Sequence, residues 1–266
     1  RGDDGITIRG GRRRRRTIRS ASLKLPRCAG DDQRHRPPPP GCSFPAHRPP
    51  PRSVPLDAPL FSSLDPALRS RLAFALELDR LKGVERRTWR VDRTRRENSA
   101  EHSWHLVTMA LVFAAHAPAG ADVDRVVRML LVHDLVEIDA GDTFAFDVAG
   151  LAGRDARERL AADRLFALLP DGAALRALWE EFERGETPDA RYAAALDRLA
   201  PLLLNLHTDG GTWREHGVRR AAVVARMRPI EHGVPALWPA VLAAIDAAVA
   251  RGWVRPDAPA SDAPDG

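Results

Sequence analysis

Apolar residues recur at intervals of three and four along most of this chain, which places them on one face of an α-helix. The first such set is Leu68, Leu72, Ala75, Leu76 and Leu78. The preceding Leu64-Asp65-Pro66 predicts an N-cap at Asp65 with proline in the first helical position. The pattern therefore predicts a helix that begins near residue 66.

The same spacing predicts seven further helices. They cover residues 99–117, 122–134, 154–168, 172–184, 188–207, 217–230 and 235–251. Residues 83–98 are predicted to form a polar loop, and a second loop around Gly141-Asp142 is predicted to end near Gly153. Sustained alternation with β-branched enrichment, which marks a strand, is absent from the sequence. We therefore predict an all-α fold, a compact single-domain helical bundle in residues 56–255.

The two ends of the chain have a different composition. Residues 1–55 contain the run Arg12–Arg16 and two proline runs, 37–40 and 49–51, with almost no apolar periodicity. Such a segment cannot bury enough apolar surface to offset the entropy of ordering it. We predict a disordered Arg/Pro-rich extension at 1–55 and a disordered tail at 256–266. An unstructured extension, or sequence translated upstream of the true start, is favoured over a basic arm that binds RNA or an acidic partner, because the chain does not begin with Met.

The charge of the chain is unevenly distributed. The net charge is +5, but residues 1–55 hold thirteen Arg and one Lys against four Asp, a net of +10. The remainder is therefore about −5. An acidic body argues against nucleic acid as its main ligand, since binding to a phosphate backbone requires a basic surface.

Both cysteines, Cys28 and Cys42, lie in the basic segment, so the body cannot form an internal disulfide. That composition is compatible with a reducing compartment. The sequence contains no apolar stretch of the roughly 20 residues that span a bilayer and no signal-peptide core after Arg16. We expect a cytoplasmic protein that does not bind membranes.

Four residues in three segments carry candidate metal chemistry: His102, His133, Asp134 and Asp197. Two imidazoles and two carboxylates offer nitrogen and oxygen donors that suit a divalent metal of borderline hardness. Asp197 interrupts an apolar helix, where an unpaired charge is costly to bury. Glu137 lies one helical turn after His133 and can serve as a general base or acid for a water molecule. The set indicates metal-assisted hydrolysis.

Ordinary structural explanations compete with this interpretation. Asp197 can instead pair with a core arginine, such as Arg128 or one near Arg198. His105, one turn after His102, is an alternative ligand or a residue that supports the site. His207 can line the mouth of a pocket, although a solvated or capping role is favoured.

Taken together, the segments Glu97–Ser103, His133–Glu137, Gly141-Asp142 and Leu196-Asp197 resemble the HD-domain metal-dependent phosphohydrolases. Within these the chain is most similar to the 5′-deoxynucleotidase branch, the HD-domain-containing protein 2-like family. The resemblance extends over about residues 74–253. It implies an all-α bundle of the HD-domain type, one divalent metal ion (Mn²⁺, Co²⁺ or Mg²⁺), a small-molecule nucleotide substrate and a homodimer.

The resemblance also implies roles for individual residues. The metal ligands that it implies are His102, His133, Asp134 and Asp197. Glu137 matches the acidic residue that acts on the nucleophilic water, and Asp142 matches one that holds the sugar hydroxyl. The implied reaction is the hydrolysis of (deoxy)nucleoside 5′-monophosphates to nucleoside and phosphate.

Substrate contact in the family involves an Arg and a Trp upstream of the first His. Arg87 and Trp89 occupy that region here, with Arg86 or Arg90 as alternatives for the arginine. An arginine such as Arg87 would neutralise charge that develops on the phosphoryl group.

Three other functions compete with this one. The first is a phosphohydrolase of the same superfamily that acts on triphosphates, cyclic nucleotides or alarmones. The second is a di-iron oxygenase, in which His105 and His207 would supply additional ligands. The third is a nucleotide-binding protein that has lost turnover, which the intact ligand set argues against.

Overall fold

The computed structural model describes residue 61 and residues 63–258, and helices dominate them. The helices are α1 (Pro66–Asp79), α2 (Ser99–Val112), α3 (Val123–Val132), α4 (Glu137–Ala140), α5 (Val148–Leu151), α6 (Arg154–Phe166), α7 (Ala173–Arg184), α8 (Pro188–His207), α9 (Gly211–Glu215), α10 (Arg220–Gly233) and α11 (Trp238–Ala250). Short 3₁₀ turns span Arg80–Gly83, Ala114–His116 and Pro235–Leu237. The predicted all-α class is confirmed. The predicted extension at 1–55 lies outside the described residues.

The start of α1 follows the chemistry of its first residues. Asp65 has extended backbone angles, and its carboxylate accepts a hydrogen bond from the backbone N–H of Leu68 at 3.0 Å. Pro66 occupies the first turn, where it has no N–H to leave unpaired. The predicted N-cap at Asp65 is confirmed.

A reciprocal capping box fixes the start of α2. The side-chain oxygen of Asn98 accepts from the N–H of Glu101 at 2.9 Å, and the Glu101 carboxylate accepts from the N–H of Asn98 at 3.1 Å. Two of the N–H groups that a helix start leaves unpaired are satisfied in this way. The cap lies one turn before His102 and so fixes the direction in which that histidine enters the interior.

We expect Asn98→Ala to lower the free energy of unfolding by about 1 kcal/mol, because alanine cannot accept the N-terminal hydrogen bond. Urea denaturation followed by circular dichroism measures this change. The matched control is Asn98→Asp, which retains a side-chain acceptor and should unfold close to the wild type. Equal midpoints for the alanine variant and the wild type would show that the cap does not stabilise the helix.

The predicted loop at 83–98 is wrong in part, because it contains an antiparallel hairpin of β1 (Glu85–Trp89) and β2 (Arg96–Asn98). Contacts within the hairpin and with a distant helix support it. The Arg96 guanidinium lies 4.2 Å from the centre of the ring of Trp89, its partner across the hairpin. Thr212 from α9 donates a hydrogen bond to the backbone oxygen of Arg87 at 2.7 Å. The strands are rich in charged residues, so apolar alternation could not reveal them.

Helix α3 ends at Val132, so His133 and Asp134 lie in a turn and not in the last helical turn as predicted. The N–H of Glu137 bonds to the Asp134 carbonyl at 3.0 Å, and α4 then runs only to Ala140. Gly141 follows with φ of +72°, a left-handed region that favours glycine. This reversal returns the chain towards the site and positions residue 142.

Helix α8 forms the centre of the larger core. It packs against α2, α3, α7 and α10, and most of its residues are buried. Gly233 permits the close approach of α10, since a Cβ there would lie 2.1 Å from the backbone oxygen of Arg191. A smaller core joins α1, α6 and α7 to the segment around Leu135. Asp197 lies in the middle of α8 and therefore in the interior.

The C-terminal helices differ from the predictions mainly at their boundaries. Helix α10 begins at Arg220 and not at residue 217, and the short α9 was not predicted. Pro256 and Asp257 are the first residues of the predicted tail, and they accept hydrogen bonds from the Arg219 side chain and the Ala221 N–H at the start of α10. Residues 259–266 lie outside the described residues. None of the helices in residues 63–258 has the length and apolarity to cross a membrane.

Candidate active site

Three buried side chains from three elements converge in the interior. His102 comes from α2, His133 from the turn after α3, and Asp197 from α8. One donor atom of each lies within 4.8 Å of the other two. Two imidazole nitrogens and a carboxylate oxygen at this separation form a set that can hold a divalent metal ion.

The orientation of His133 fits metal ligation. Its Nδ1 donates to the backbone oxygen of Leu130 at 2.8 Å, so Nε2 carries the lone pair and faces the cluster. Nε2 is buried and has no hydrogen-bond partner among the described residues. It lies 3.9 Å from Asp197 Oδ1. Burial lowers the pKa of His133, which favours the neutral imidazole that a metal requires.

His102 and Asp197 meet directly, with Nε2 of the histidine 2.8 Å from Oδ1 of the aspartate. Burial and the Arg86 charge oppose protonation, yet Asp197 and Glu97 raise the pKa of His102 to about 9. Against the opposing effect of burial, Arg198 and His102 hold the pKa of Asp197 well below its usual range. A metal ion at this position would replace the proton shared by the pair.

Asp134 lies at the edge of the three-donor cluster. Its Oδ1 is 3.1 Å from His133 Nε2, and its Oδ2 accepts from Arg86 Nη1 at 2.8 Å. The carboxylate therefore borders the same space as the other donors, although it is held by an ion pair.

Arg86 in β1 organises the acidic side of the site. Besides Asp134, its guanidinium lies 3.6 Å from Glu97, 3.8 Å from Glu137 and 3.6 Å from Asp142. Despite burial, the carboxylates of Asp134, Glu137, Asp142 and Asp197 raise the pKa of Arg86, which stays charged. A buried charge requires such partners, and here one guanidinium holds carboxylates from three segments.

Glu137 is held from two sides. Its Oε2 accepts from the hydroxyl of Ser99 at 2.5 Å, and its Oε1 faces Arg86. Burial, and then the neighbouring Asp134 charge, raise the pKa of Glu137 well above its ordinary value. A carboxylate with a raised pKa beside a candidate metal cluster is suited to proton transfer near neutral pH.

The structure separates the residues predicted to contact substrate. Asp142 is mostly buried near Arg86, and burial raises its pKa. Arg87 is exposed and borders a small cavity of about 70 Å³ that Asp142 and Asp197 also line. Trp89 lines a different cavity, and its indole N–H donates to Glu215 at 2.6 Å. The hairpin thus brings Arg86 to the carboxylates and directs Trp89 towards α9.

A cavity of about 260 Å³ opens beside the cluster. Its polar lining includes His133, Asp134, Glu137, Asp142, Asp197, Arg86, Arg154, Arg198 and Arg226. Sequence reasoning did not assign Arg154 or Arg226 to the site, and it considered the neighbourhood of Arg198 only as an ion-pair partner for Asp197. Arg226 could have been noticed, because it lies at helical spacing from the apolar Val223 and Ile230 and so shares their inward face.

His105 and His207, the other histidines considered from the sequence, are not part of the cluster. His105 is half-buried on α2, and burial lowers its pKa. His207 is exposed, and its ring donates to the backbone oxygen of Leu203 at 2.8 Å. Asp197 contacts Arg198, so the arginine partner that the sequence allowed for this carboxylate is present, and it also contacts His102. Its role as a metal ligand stays a prediction.

Comparison with known proteins gives three kinds of similarity. The family model described as HD domain matches residues 78–238. The protein named 5′-deoxynucleotidase HDDC2 from Xenopus laevis is 29% identical over 144 residues, which covers 53% of this chain and 70% of that protein. Its Homo sapiens counterpart is 31% identical over 138 residues, which covers 51% of this chain. The chain spans 66% of the human protein's length.

A solved structure resembles a larger part of the chain. It is that of a predicted metal-dependent phosphohydrolase from Magnetospirillum magnetotacticum MS-1, with 49% sequence identity. The similarity covers 71% of this chain and 99% of that one, with a TM-score of 0.68.

Proposed function

The chain belongs to the HD domain family, and from this premise we propose that it is a metal-dependent phosphomonoesterase that hydrolyses (deoxy)nucleoside 5′-monophosphates. The observation that carries the proposal is the buried convergence of His102, His133 and Asp197 beside a carboxylate of raised pKa, Glu137. The relatives named 5′-deoxynucleotidase support the monophosphate substrate, and the similar solved structure supports the reaction class.

The proposed metal ligands are His102, His133, Asp134 and Asp197. The orphaned Nε2 of His133 and the mixed donor set fit a divalent ion such as Mn²⁺, Co²⁺ or Mg²⁺. When bound, such an ion polarises a phosphoryl oxygen and lowers the pKa of a coordinated water molecule.

In the proposed reaction, Glu137 is the general base. Its Oε1 accepts a proton from the attacking water while the water oxygen forms a bond to phosphorus and the bond to the 5′-oxygen breaks. That proton then passes to the 5′-oxygen, so the products are a nucleoside and phosphate. Ser99 holds Oε2 and Arg86 fixes the position of the carboxylate, which reduces the reorganisation needed during proton transfer.

Substrate contact is proposed for Asp142 and Arg87. Asp142 can accept a hydrogen bond from a sugar hydroxyl, and Arg87 borders the small cavity next to it. The contact expected of Trp89 stays a prediction, since this side chain lines another cavity. The homodimer and the cytoplasmic location also stay predictions, and sedimentation equilibrium would test the first.

The test is phosphate release from a panel of ribo- and deoxynucleoside 5′-monophosphates, with the 3′-monophosphates as matched substrate controls. We expect chelated protein to be inactive and Mn²⁺, Co²⁺ or Mg²⁺, each added separately, to restore release from the 5′-monophosphates only. The variant Asp134→Ala, purified in parallel, excludes a contaminating phosphatase.

Two results would contradict the proposed substrate. Release from triphosphates or cyclic nucleotides alone would indicate another phosphohydrolase of the same family. Absence of release with every metal, although one ion binds per chain, would indicate a nucleotide-binding protein without turnover.

A further inference from the structure

Arg226 on α10 lines the candidate site and, within the part of the chain that the structure describes, has no carboxylate partner. It lines the 260 Å³ cavity beside His133 and Asp197, and also the small cavity bordered by Asp142. Among the described residues it forms neither an ion pair nor a side-chain hydrogen bond, although most of its surface is shielded from solvent. Its guanidinium therefore faces the site with unused donors.

The other arginines of the cavity contrast with Arg226. Arg86 is held by Asp134 at 2.8 Å, and Arg154 by Glu158 at 2.6 Å. Arg198 contacts the carboxylate of Asp197 through Nη1, while its buried Nε has no hydrogen-bond partner among the described residues. The buried Nε of Arg86 also has no hydrogen-bond partner among the described residues, although it lies 3.6 Å from Glu97. Arg226 therefore differs from the other three arginines in having no ion pair among the described residues.

The environment of Arg226 disfavours an uncompensated positive charge. Burial, and then the neighbouring Arg198 charge, lower the pKa of Arg226 to about 9. Two like charges near each other in a shielded position cost free energy unless an anion lies between or beside them. Asp197 favours the Arg226 charge but is already in contact with Arg198 and His102, and Arg226 forms no ion pair among the described residues. A bound anion would offset the remaining cost.

We propose that Arg226 and Arg198 form the anion subsite that binds the phosphoryl group of the substrate beside the metal cluster. The planar fork of a guanidinium matches phosphate oxygens and can donate two parallel hydrogen bonds. This proposal rests on the proposed function. It assigns phosphate recognition to Arg198 on α8 and Arg226 on α10, in place of Arg87 of the hairpin.

The position of Asp197 explains why this wall receives the reacting phosphate. Its Oδ1 faces His102 and His133, and its Oδ2 contacts Arg198. A phosphate bound by Arg198 would therefore lie next to Asp197, which contacts both this arginine and the cluster. Arg226 approaches from the next helix and completes the positive side of the cavity.

The test is binding of inorganic phosphate, measured by isothermal titration calorimetry with and without Mg²⁺. We expect Arg226→Gln to weaken phosphate binding by about tenfold or more, the effect of losing a charge-assisted bidentate contact. The matched control is Arg228→Gln on the same helix, since Arg228 is exposed and pairs with Glu231 at 3.3 Å. The control should bind phosphate like the wild type.

A second readout distinguishes binding from structure. Arg226 pairs with no carboxylate of residues 63–258, so Arg226→Gln removes no ion pair there, and its melting temperature should equal or exceed that of the wild type. In steady-state kinetics its KM for a nucleotide should rise more than that of Arg226→Lys, which keeps the charge.

The proposal would be overturned if Arg226→Gln bound phosphate with the same affinity as Arg228→Gln. It would also be overturned if the wild-type chain did not bind phosphate at all. Phosphate binding that depends on Arg226, in a chain that hydrolyses none of the nucleotides, would support the subsite and reject the proposed function. Failure of the anion subsite can therefore be distinguished from failure of the proposed phosphomonoesterase activity.

Discussion

Asp134→Ala is expected to abolish metal binding and phosphate release together. The Asp134 carboxylate lies 3.1 Å from His133 Nε2, so its removal takes away a metal donor. It is also the carboxylate nearest to Arg86, whose buried charge would lose its main partner beside the cluster. A loss of about 10³-fold or more in kcat/KM, or about 4 kcal/mol of transition-state stabilisation, is expected for a metal-dependent reaction. Metal content per chain by plasma mass spectrometry and phosphate release measure the two effects.

The matched control for this prediction is Asp139→Ala, five residues later on α4. Asp139 is exposed and pairs with Arg164 and Arg80 at the surface, where such ion pairs contribute little. It should retain metal and activity. A folded Asp134→Ala variant that still carries one ion per chain and turns over normally would remove Asp134 from the ligand set.

Glu137→Gln is expected to retain the metal but to lose turnover by about 10²- to 10⁴-fold, the usual contribution of a positioned general base. Glutamine preserves the shape and the contact with Ser99 but cannot accept the proton of a water molecule. The measurements are metal content, kcat and the KM for a nucleoside 5′-monophosphate. Because the proton is transferred in the transition state, the decrease should appear in kcat more than in KM.

Glu183→Gln serves as the control for Glu137. Glu183 lines the same cavity, but its carboxylate faces Arg154 at 3.8 Å, and its substitution should leave kcat close to the wild-type value. If Glu137→Gln turned over as fast as this control, Glu137 would not be the base, and Asp142 would be the next carboxylate to test.

Several features of the site could be predicted from the sequence because they depend on local patterns. Asp197 stood out as a carboxylate in an apolar helix, and His102 lies in the first turn of a helix that the sequence predicted to begin at residue 99. The structure brings both together with His133 in one buried cluster. The resemblance to the HD-domain phosphohydrolases is confirmed by the family match over residues 78–238 and by the 49% identical structure.

Other features depended on contacts between distant segments. The hairpin at Glu85–Asn98 lacks apolar alternation, and the side chains that support it include Thr212, more than a hundred residues away. The orientation of this hairpin decides that Arg86 enters the carboxylate cluster while Arg87 is exposed and Trp89 contacts α9. Neighbouring residues on a strand point to opposite faces, so a shift of one position changes which arginine reaches the site.

The sequence by itself therefore determined the helical fold, most helix starts and the residue types of a metal-dependent hydrolase, because spacing and capping act within a few residues along the chain. Only the tertiary structure decided which charges face one another. It paired Arg86 with four carboxylates and left Arg226 beside the cavity without a described partner. The reason is physical: a charge is stabilised or destabilised by what lies within a few ångströms in space, and long-range packing determines those neighbours.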